Sequence, residues 1–167
     1  ILVLVLLSSC SHPQSKDQSD AANLSFEHVS TLPIGENSRM IEQKIGKSTN
    51  IYEDERTVKW LYAQDNYNKA VILIDQSTGK IISKFWSVKD GEKERDLNYM
   101  LSYYPQAHFE KRDSKFIHPH KGRSTEVWFE DRSLGIFIEV SKTSQVVEAI
   151  YWCAANVPLS TENCIKN

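Results

Sequence analysis

Two stretches of this 167-residue chain decide its fold, AVILIDQSTGKIISKFW at residues 70–86 and GIFIEVSKTSQVVEAIYW at residues 135–152. Each has two runs rich in β-branched and aromatic residues on either side of a polar turn, which is the pattern of a β-hairpin. A shift of 66 positions lays one stretch over the other and places Ile72 on Ile138 and Trp86 on Trp152. We interpret the two stretches as copies of one repeated unit.

Each hairpin follows a further strand and a helix. The strands are predicted at about residues 57–63 and 125–130, where the same shift places Tyr62 on Trp128. Apolar residues between 90 and 104 recur at i, i+3, i+4 and i+7, with Asp90 as the candidate N-cap.

A shorter helix is predicted to begin at Ser38 and to end before Gly46. The sequence therefore predicts an α+β fold. Two tandem helix-plus-three-strand units, residues 34–89 and 90–167, would form one helix-backed antiparallel sheet.

Alternation along the predicted strands sorts the side chains onto two faces. The helix-covered face is predicted to carry Ile81, Ser83, Phe85, Val147, Ala149 and Tyr151. Trp128 shares its face with Glu126 and Glu130, which indicates a helix-free surface. On that surface we predict an aromatic partner-binding site made of Trp60, Tyr62, Trp86, Trp128, Phe137 and Trp152. The alternative is a second buried face, or one covered by the N-terminal tether or by the C-terminal segment.

The chain opens with seven apolar residues, Ile1 to Leu7, which match the apolar core of a secretory signal peptide. No Met or basic residue precedes them, so we expect the signal to be truncated at its start. The run 7–10, Leu-Ser-Ser-Cys, resembles the lipobox of bacterial lipoproteins. The resemblance implies that residues 1–9 are removed and that Cys10 carries the acyl anchor to the membrane. The alternative is an ordinary cleaved signal with a chance cysteine.

Residues 10–33 have no periodicity and little apolar content, so we predict a flexible tether. In an exported protein the remaining pair, Cys153 and Cys164, indicates a disulfide, the alternative being two unpaired thiols.

The lipobox, the tether, the short helix ending at Ile45-Gly46 and the hairpin at residues 70–86 together resemble the small outer-membrane lipoproteins of the SmpA/OmlA family. The tandem α/β unit resembles the architecture of the β-lactamase inhibitor protein. The first resemblance implies a role as an accessory in outer-membrane protein assembly. Ser11 is not the aspartate associated with inner-membrane retention in enteric lipoproteins, which favours the outer membrane.

The sequence carries no motif of a known catalytic site, no phosphate-binding loop and no zinc-spaced cysteine pair. The net charge of −2 argues against nucleic acid as a partner. His108, His118 and His120 could approach one metal ion, although scattered histidines in a polar loop are usually solvated. About twelve extra residues within 106–124 form a basic loop that could contact anionic headgroups, or that is simply solvated.

We therefore expect a non-enzymatic, periplasm-facing lipoprotein with an internal repeat, held to the membrane through Cys10 and bound to a protein of the cell envelope. No cofactor and no small-molecule ligand are expected. One alternative is an inhibitor of a periplasmic or secreted enzyme. An alternative of another class is a metal-binding protein or an enzyme that uses the three histidines.

Overall fold

The computed structural model describes residues 24–64, 67–113, 126–156 and 164. Its main element is an eight-stranded sheet in which every neighbouring pair is antiparallel and the strand order is β1-β2-β3-β4-β8-β7-β6-β5. The strands are β1 (Asn50–Glu53), β2 (Thr57–Gln64), β3 (Tyr67–Asp75), β4 (Ile81–Ser87), β5 (Glu110–Asp113), β6 (Glu126–Asp131), β7 (Ile136–Ser141) and β8 (Val147–Trp152). The predicted α+β class with an antiparallel sheet is confirmed. Each half has four strands and not the predicted three. The additional strands are at the edges: β1 has four residues, too few to show a periodicity, and β5 consists of charged residues.

Three short helices and a 3-10 turn accompany the sheet. They are α1 (Phe26–Ser30), α2 (Arg39–Ile45), a 3-10 turn (Lys93–Arg95) and α3 (Leu97–Tyr103). Helix α2 lies between Ser38 and Gly46 as predicted, and Gly46 adopts the positive φ of 96° that suits glycine. Helix α3 begins later than predicted, because Asp96 is the N-cap and accepts a hydrogen bond from the Tyr99 N–H.

The segment predicted to be a tether is folded from Phe26 onward, so that prediction is wrong for its last residues. Ser25 caps α1, and the apolar side chains of Phe26, Val29 and Leu32 are buried. Phe26 and Val29 are three residues apart and lie on one side of this short helix, and Leu32 follows its end. Two apolar positions are too few to stand out in a polar stretch. The rest of the predicted tether, up to residue 23, lies outside the described residues, as does the signal segment with Cys10.

The main core lies between one face of the sheet and the helices. Strands β3, β4, β7 and β8 contribute residues such as Ile72, Trp86, Ile138 and Trp152, and the helices contribute Phe26, Val29, Ile41, Ile45 and Met100. A second, smaller cluster lies on the other face. The predicted assignment of faces is therefore wrong for most of β4 and β8. Trp86 and Trp152 face the helices, whereas Phe85, Ala149 and Tyr151 face away.

Two β-bulges explain the error. Leu73 pairs with Ser83 and Ile74 with Ile81, so Ile82 is an extra residue in β4. In β8 the extra residue is Glu148, because Glu139 pairs with Ala149 and Val140 with Val147. Each extra residue reverses the alternation of side chains along its strand. Ile81 and Val147 consequently share the core with Trp86 and Trp152, which simple alternation places on the opposite face.

Strand β6 is also displaced by three positions from the predicted overlay. Thr57 pairs with Asp75, and Glu126 pairs with Ser141, which is 66 positions beyond Asp75. The position of Tyr62 in its strand pair therefore corresponds to Asp131 and not to Trp128. The cause is that the chain from the start of β6 to its partner in β7 is three residues shorter than the chain from the start of β2 to its partner in β3.

Candidate functional site

The predicted aromatic surface does not exist as an open face. Tyr62, Trp86 and Trp152 are buried in the main core, and half-buried Trp60 packs against it. Trp128 and Phe137 lie on the opposite side of the sheet, each with 0 % of its surface exposed. The expectation of an exposed Trp128 is wrong, because the two glutamates beside it on the strand do not prevent another segment from covering the indole.

That cover includes the C-terminal disulfide. Cys153 and Cys164 are bonded to each other, as predicted, and both are buried in the cluster formed by Trp128, Phe137, Ala149 and Tyr151. The alternative interpretation, that the C-terminal segment covers this face, agrees with the position of Cys164, which is buried against the face. Residues 157–163 lie outside the described part of the chain.

Three carboxylates approach one another on β6, β7 and β8. Glu126, Glu139 and Glu148 each place one oxygen within 4.8 Å of the other two, and Tyr151 donates a hydrogen bond of 3.0 Å to Glu139. Burial, followed by the charge of Glu139 and its hydrogen bond, raises the pKa of Tyr151 above its usual range. Oxygen ligands of this kind could hold a hard divalent cation. Sequence reasoning missed the group because it is assembled by cross-strand pairing and by the bulge at Glu148.

Two lysines are buried in the fold. Lys84 donates hydrogen bonds to the main-chain oxygens of Val29, Ser30 and Leu32 at 2.8, 2.8 and 2.6 Å. The ammonium group of Lys69 forms an ion pair of 2.6 Å with Glu92 and also donates to the Ser87 carbonyl oxygen at 2.7 Å. Both side chains are satisfied by partners inside the protein, which gives them a structural role.

The predicted histidine and basic-loop sites fall largely outside the described residues. His118, His120 and the basic residues from Lys115 to Arg123 are among the undescribed positions. His108 is described, and its main-chain N–H donates a hydrogen bond of 2.6 Å to Asp131. Among the described residues, no helix is both long and apolar enough to cross a membrane.

The two edges of the sheet differ sharply in character. Strand β5, at one edge, consists entirely of the charged residues Glu110, Lys111, Arg112 and Asp113. Charged edge strands protect a sheet from pairing with other chains. Strand β1, at the other edge, presents Ile51 and Tyr52 with 53 % and 58 % of their surfaces exposed. These are two of the three large apolar side chains that are exposed in the described part of the chain.

The geometry of the β1–β2 hairpin determines which main-chain groups point outward. Asp54 donates its N–H to the Thr57 carbonyl oxygen, closing the hairpin, and Tyr52 pairs with Lys59 two positions earlier. Paired hydrogen bonds recur at every second residue of an antiparallel ladder. The N–H and C=O groups of Ile51 and Glu53 therefore point away from β2, and no strand of the described residues lies beyond them.

The two side chains of this edge lie on opposite faces. Ile51 is the cross-strand neighbour of Trp60, whose ring packs against the main core, and so continues the apolar surface of the helix-covered face to the edge. Tyr52 neighbours Lys59 on the helix-free face. The edge thus combines outward main-chain groups, for which the described part of the chain provides no strand partner, with an apolar side chain on each face.

Comparisons with known proteins give only distant structural likenesses. The chain matches no known protein family and no curated protein. A cysteine-rich secretory protein from Staphylococcus aureus subsp. aureus Mu50 is 11 % identical with a TM-score of 0.36, over 72 % of this chain and 44 % of that one. An extracellular protein containing a SCP domain, from Bacillus anthracis str. Ames, is 10 % identical with a TM-score of 0.42, over 90 % and 50 % of the two chains. The chain spans half or less of the length of these structures.

Proposed function

We propose that this protein is a protein-binding module of the bacterial cell envelope and that it binds its partner through the open edge of strand β1. The observation that carries the proposal is the exposure of Ile51 and Tyr52 on an edge strand that has no neighbour on its outer side among the described residues. An added strand would form main-chain hydrogen bonds with Ile51 and Glu53 and would cover both apolar side chains. This is recognition by strand addition.

The contrast with β5 supports the choice of edge. A sheet that needed protection at both ends would carry charged residues in both edge strands. The four charged residues of β5 meet that need, whereas β1 has one charged residue, Glu53. Exposed apolar residues combined with unpaired main-chain groups are typical of an interaction site.

The N-terminal sequence supports a place in the envelope. We propose that Cys10 is acylated and anchors the protein in the outer membrane, facing the periplasm, because the run 7–10 resembles a lipobox. The disulfide between Cys153 and Cys164 suits an oxidising compartment of this kind. An accessory role in outer-membrane protein assembly, by resemblance to the SmpA/OmlA lipoproteins, is the most specific form of the proposal.

We also propose that the sheet arose from two tandem copies of one unit. Ala70 pairs with Trp86, and Ile136 pairs with Trp152, at a constant separation of 66 positions. The bulges that follow Leu73 and Glu139 obey the same separation. Shared register and shared irregularity support duplication more strongly than shared composition does, because bulges are specific features of a strand pair.

Photo-crosslinking tests the binding edge. Tyr52 is replaced by a benzoylphenylalanine residue in the full-length protein in intact cells, and the matched control carries the same group at Leu134, the third exposed apolar side chain. We expect discrete crosslinked protein bands from position 52 that are absent from position 134. No crosslink at position 52, or the same bands from both positions, would contradict the proposal.

Fractionation of the same cells tests the anchor. The parent protein is expected in the membrane fraction, and the exported Cys10→Ala variant is expected in the soluble periplasmic fraction because it lacks the acyl chains. A variant that remains on salt-washed membranes would contradict the lipid anchor without affecting the argument for the β1 edge.

A further inference from the structure

We propose that the strand added to β1 is the β1 strand of a second copy of this chain, paired antiparallel about a two-fold axis at Tyr52. This inference rests on the proposed function, since it names the partner of the same edge. The two sheets would join into one continuous antiparallel sheet of sixteen strands. A closed two-fold contact of this kind is the commonest form of self-association.

The main-chain groups of β1 favour this register. Ile51 and Glu53 are the two residues whose N–H and C=O groups point outward, and they are separated by one residue. In a two-fold pairing centred on Tyr52, Ile51 of each copy faces Glu53 of the other, and the two pairs exchange four hydrogen bonds. A pairing centred on Ile51 would instead require the N–H of Thr49, which already donates to the Leu61 carbonyl oxygen at 2.8 Å.

Side chains on the helix-free face favour the same centre. Tyr52 of each copy would lie directly opposite its equivalent in a non-hydrogen-bonded pair, where cross-strand side chains approach most closely. Aromatic pairs in such positions stabilise antiparallel sheets. Tyr52, the most exposed of the three exposed apolar side chains, would thereby be covered.

The charges on either side of β1 determine the direction of pairing. Lys47, exposed and basic, precedes the strand. The exposed residues at its end and beyond are Glu53, Asp54, Glu55 and Arg56, whose charges sum to −2, so this flank is acidic on balance. An antiparallel pairing brings the basic flank of each copy beside the acidic flank of the other, and it does so twice. A parallel pairing would place like charges together, which is unfavourable.

The contact is small, because β1 has four residues. We therefore expect weak association in dilute solution. Anchoring both copies in one membrane would raise their local concentration and favour the pair.

Thiol crosslinking tests the register. In a pair centred on Tyr52, the thiols of two Tyr52→Cys copies face each other, whereas those of two Ile51→Cys copies each face a glutamate. We expect mild oxidation of the full-length protein in membranes to give at least about tenfold more covalent dimer with Tyr52→Cys than with Ile51→Cys, since a disulfide requires Cα atoms about 4.4–6.8 Å apart. Equal yields, or a higher yield from Ile51→Cys, would overturn the proposed pairing.

Charge reversal tests the partner independently of new thiols. In a pair of Lys47→Glu copies, the new glutamate of each copy lies near Glu55 of the other. In a pair of Glu55→Lys copies, the new lysine of each copy lies near Lys47 of the other. Each variant alone is expected to weaken self-association, measured by sedimentation of the full chain in detergent, by roughly tenfold. An equimolar mixture of the two variants restores both opposite-charge contacts and is expected to recover association.

The outcomes separate this inference from the proposed function. Recovery in the mixture supports a second copy as the partner. Loss without recovery, or no association of the parent protein, overturns the two-fold pair. If the crosslinks from position 52 then contain a different envelope protein, the binding edge stands and only its occupant is wrong. If position 52 gives no crosslink at all, both proposals fail.

Discussion

Lys84 illustrates how a single buried residue holds the N-terminal segment on the sheet. Its ammonium group donates three hydrogen bonds, to the carbonyl oxygens of Val29 and Ser30 at the end of α1 and of Leu32 just beyond it. The indole of Trp152 lies 4.8 Å from the nitrogen and provides a further favourable contact through its π face. Lys84 thus adds a donor where the end of α1 leaves carbonyl oxygens without a full set of helical partners, although the Val29 oxygen also accepts from the Leu32 N–H at 3.2 Å.

Burial has a cost that appears in the titration of Lys84. It lowers the pKa of Lys84 to about 7, and the positive charge of Lys44 adds to the effect. In the unfolded chain a lysine titrates near pH 10.4. Between about pH 7 and 10 the unfolded state therefore binds more protons than the folded state does, and stability rises with pH.

We predict that the free energy of unfolding of the parent protein increases from pH 7 to pH 10, with a slope from Lys84 of at most about 1.4 kcal/mol per pH unit. The Lys84→Met variant lacks this contribution. Urea denaturation at a series of pH values measures the difference in slope. Ile150→Met, at the position 66 residues further on, changes core packing without removing a titrating group, and it should retain the parent slope. Parallel curves for the parent and Lys84→Met would contradict the assignment.

At the scale of the elements, the hairpins could be predicted because their signal is local. The runs flanking Gly79 alternate with a polar turn, and Asp75 accepts hydrogen bonds from Ser77 and Thr78 within that turn. These hydrogen bonds lower the pKa of Asp75. Six of the eight strands lie close to their predicted positions for this reason.

The faces of the sheet could not be predicted, because they depend on bulges. Nothing in the runs at Ile82 or Glu148 identifies an extra residue, since a bulge is defined by the partner strand. One such residue transfers Trp86 and Trp152 from the expected open surface into the core. The edge strand β1 was missed for a different reason: its sequence Asn-Ile-Tyr-Glu is too short to show periodicity.

The C-terminal disulfide is the element that covers the second aromatic cluster. Cys153 and Cys164 are 11 residues apart, and both belong to the buried cluster that contains Trp128, Phe137 and Tyr151. Linking them restricts the unfolded chain and keeps Cys164 on the sheet. Loss of the disulfide is therefore expected to expose the indole of Trp128.

We predict that the double variant Cys153→Ala/Cys164→Ala loses about 2–4 kcal/mol of stability. Urea denaturation of the parent protein should show a similar loss when a dithiol reductant is added, whereas the variant should not respond to the reductant. The tryptophan fluorescence of the double variant is expected to shift to longer wavelength at urea concentrations too low to unfold the protein, because Trp128 gains access to water. A parent protein whose stability is unaffected by reduction would contradict the role assigned to the bond.

At the scale of the whole molecule, β4 and β8 are the strands that join the two halves of the sheet in the described part of the chain. Four residue pairs, from Lys84–Trp152 to Ser87–Ala149, form this junction. Helix α1 lies over the same junction on the helix-covered face, since the ring of Phe26 lies 6.1 Å from Trp86 of β4 and 5.9 Å from Trp152 of β8. The N-terminal segment thus joins the two halves, and the core is continuous across them.

This arrangement predicts that a substitution in the N-terminal segment destabilises the entire sheet. Phe26→Ala removes the ring that contacts Trp86, Trp152 and, at 5.0 Å, Tyr103 of α3, so we expect a loss of about 3–5 kcal/mol. Far-ultraviolet and near-ultraviolet circular dichroism should report one shared urea transition at a lower midpoint, because both halves lose the same contact. Tyr52→Ala removes an aromatic ring from the exposed edge and should cost less than about 1 kcal/mol in the monomer. If Phe26→Ala left the midpoint unchanged, or if the two signals separated into different transitions, α1 would be a peripheral attachment, and the halves would have to be stabilised independently of it.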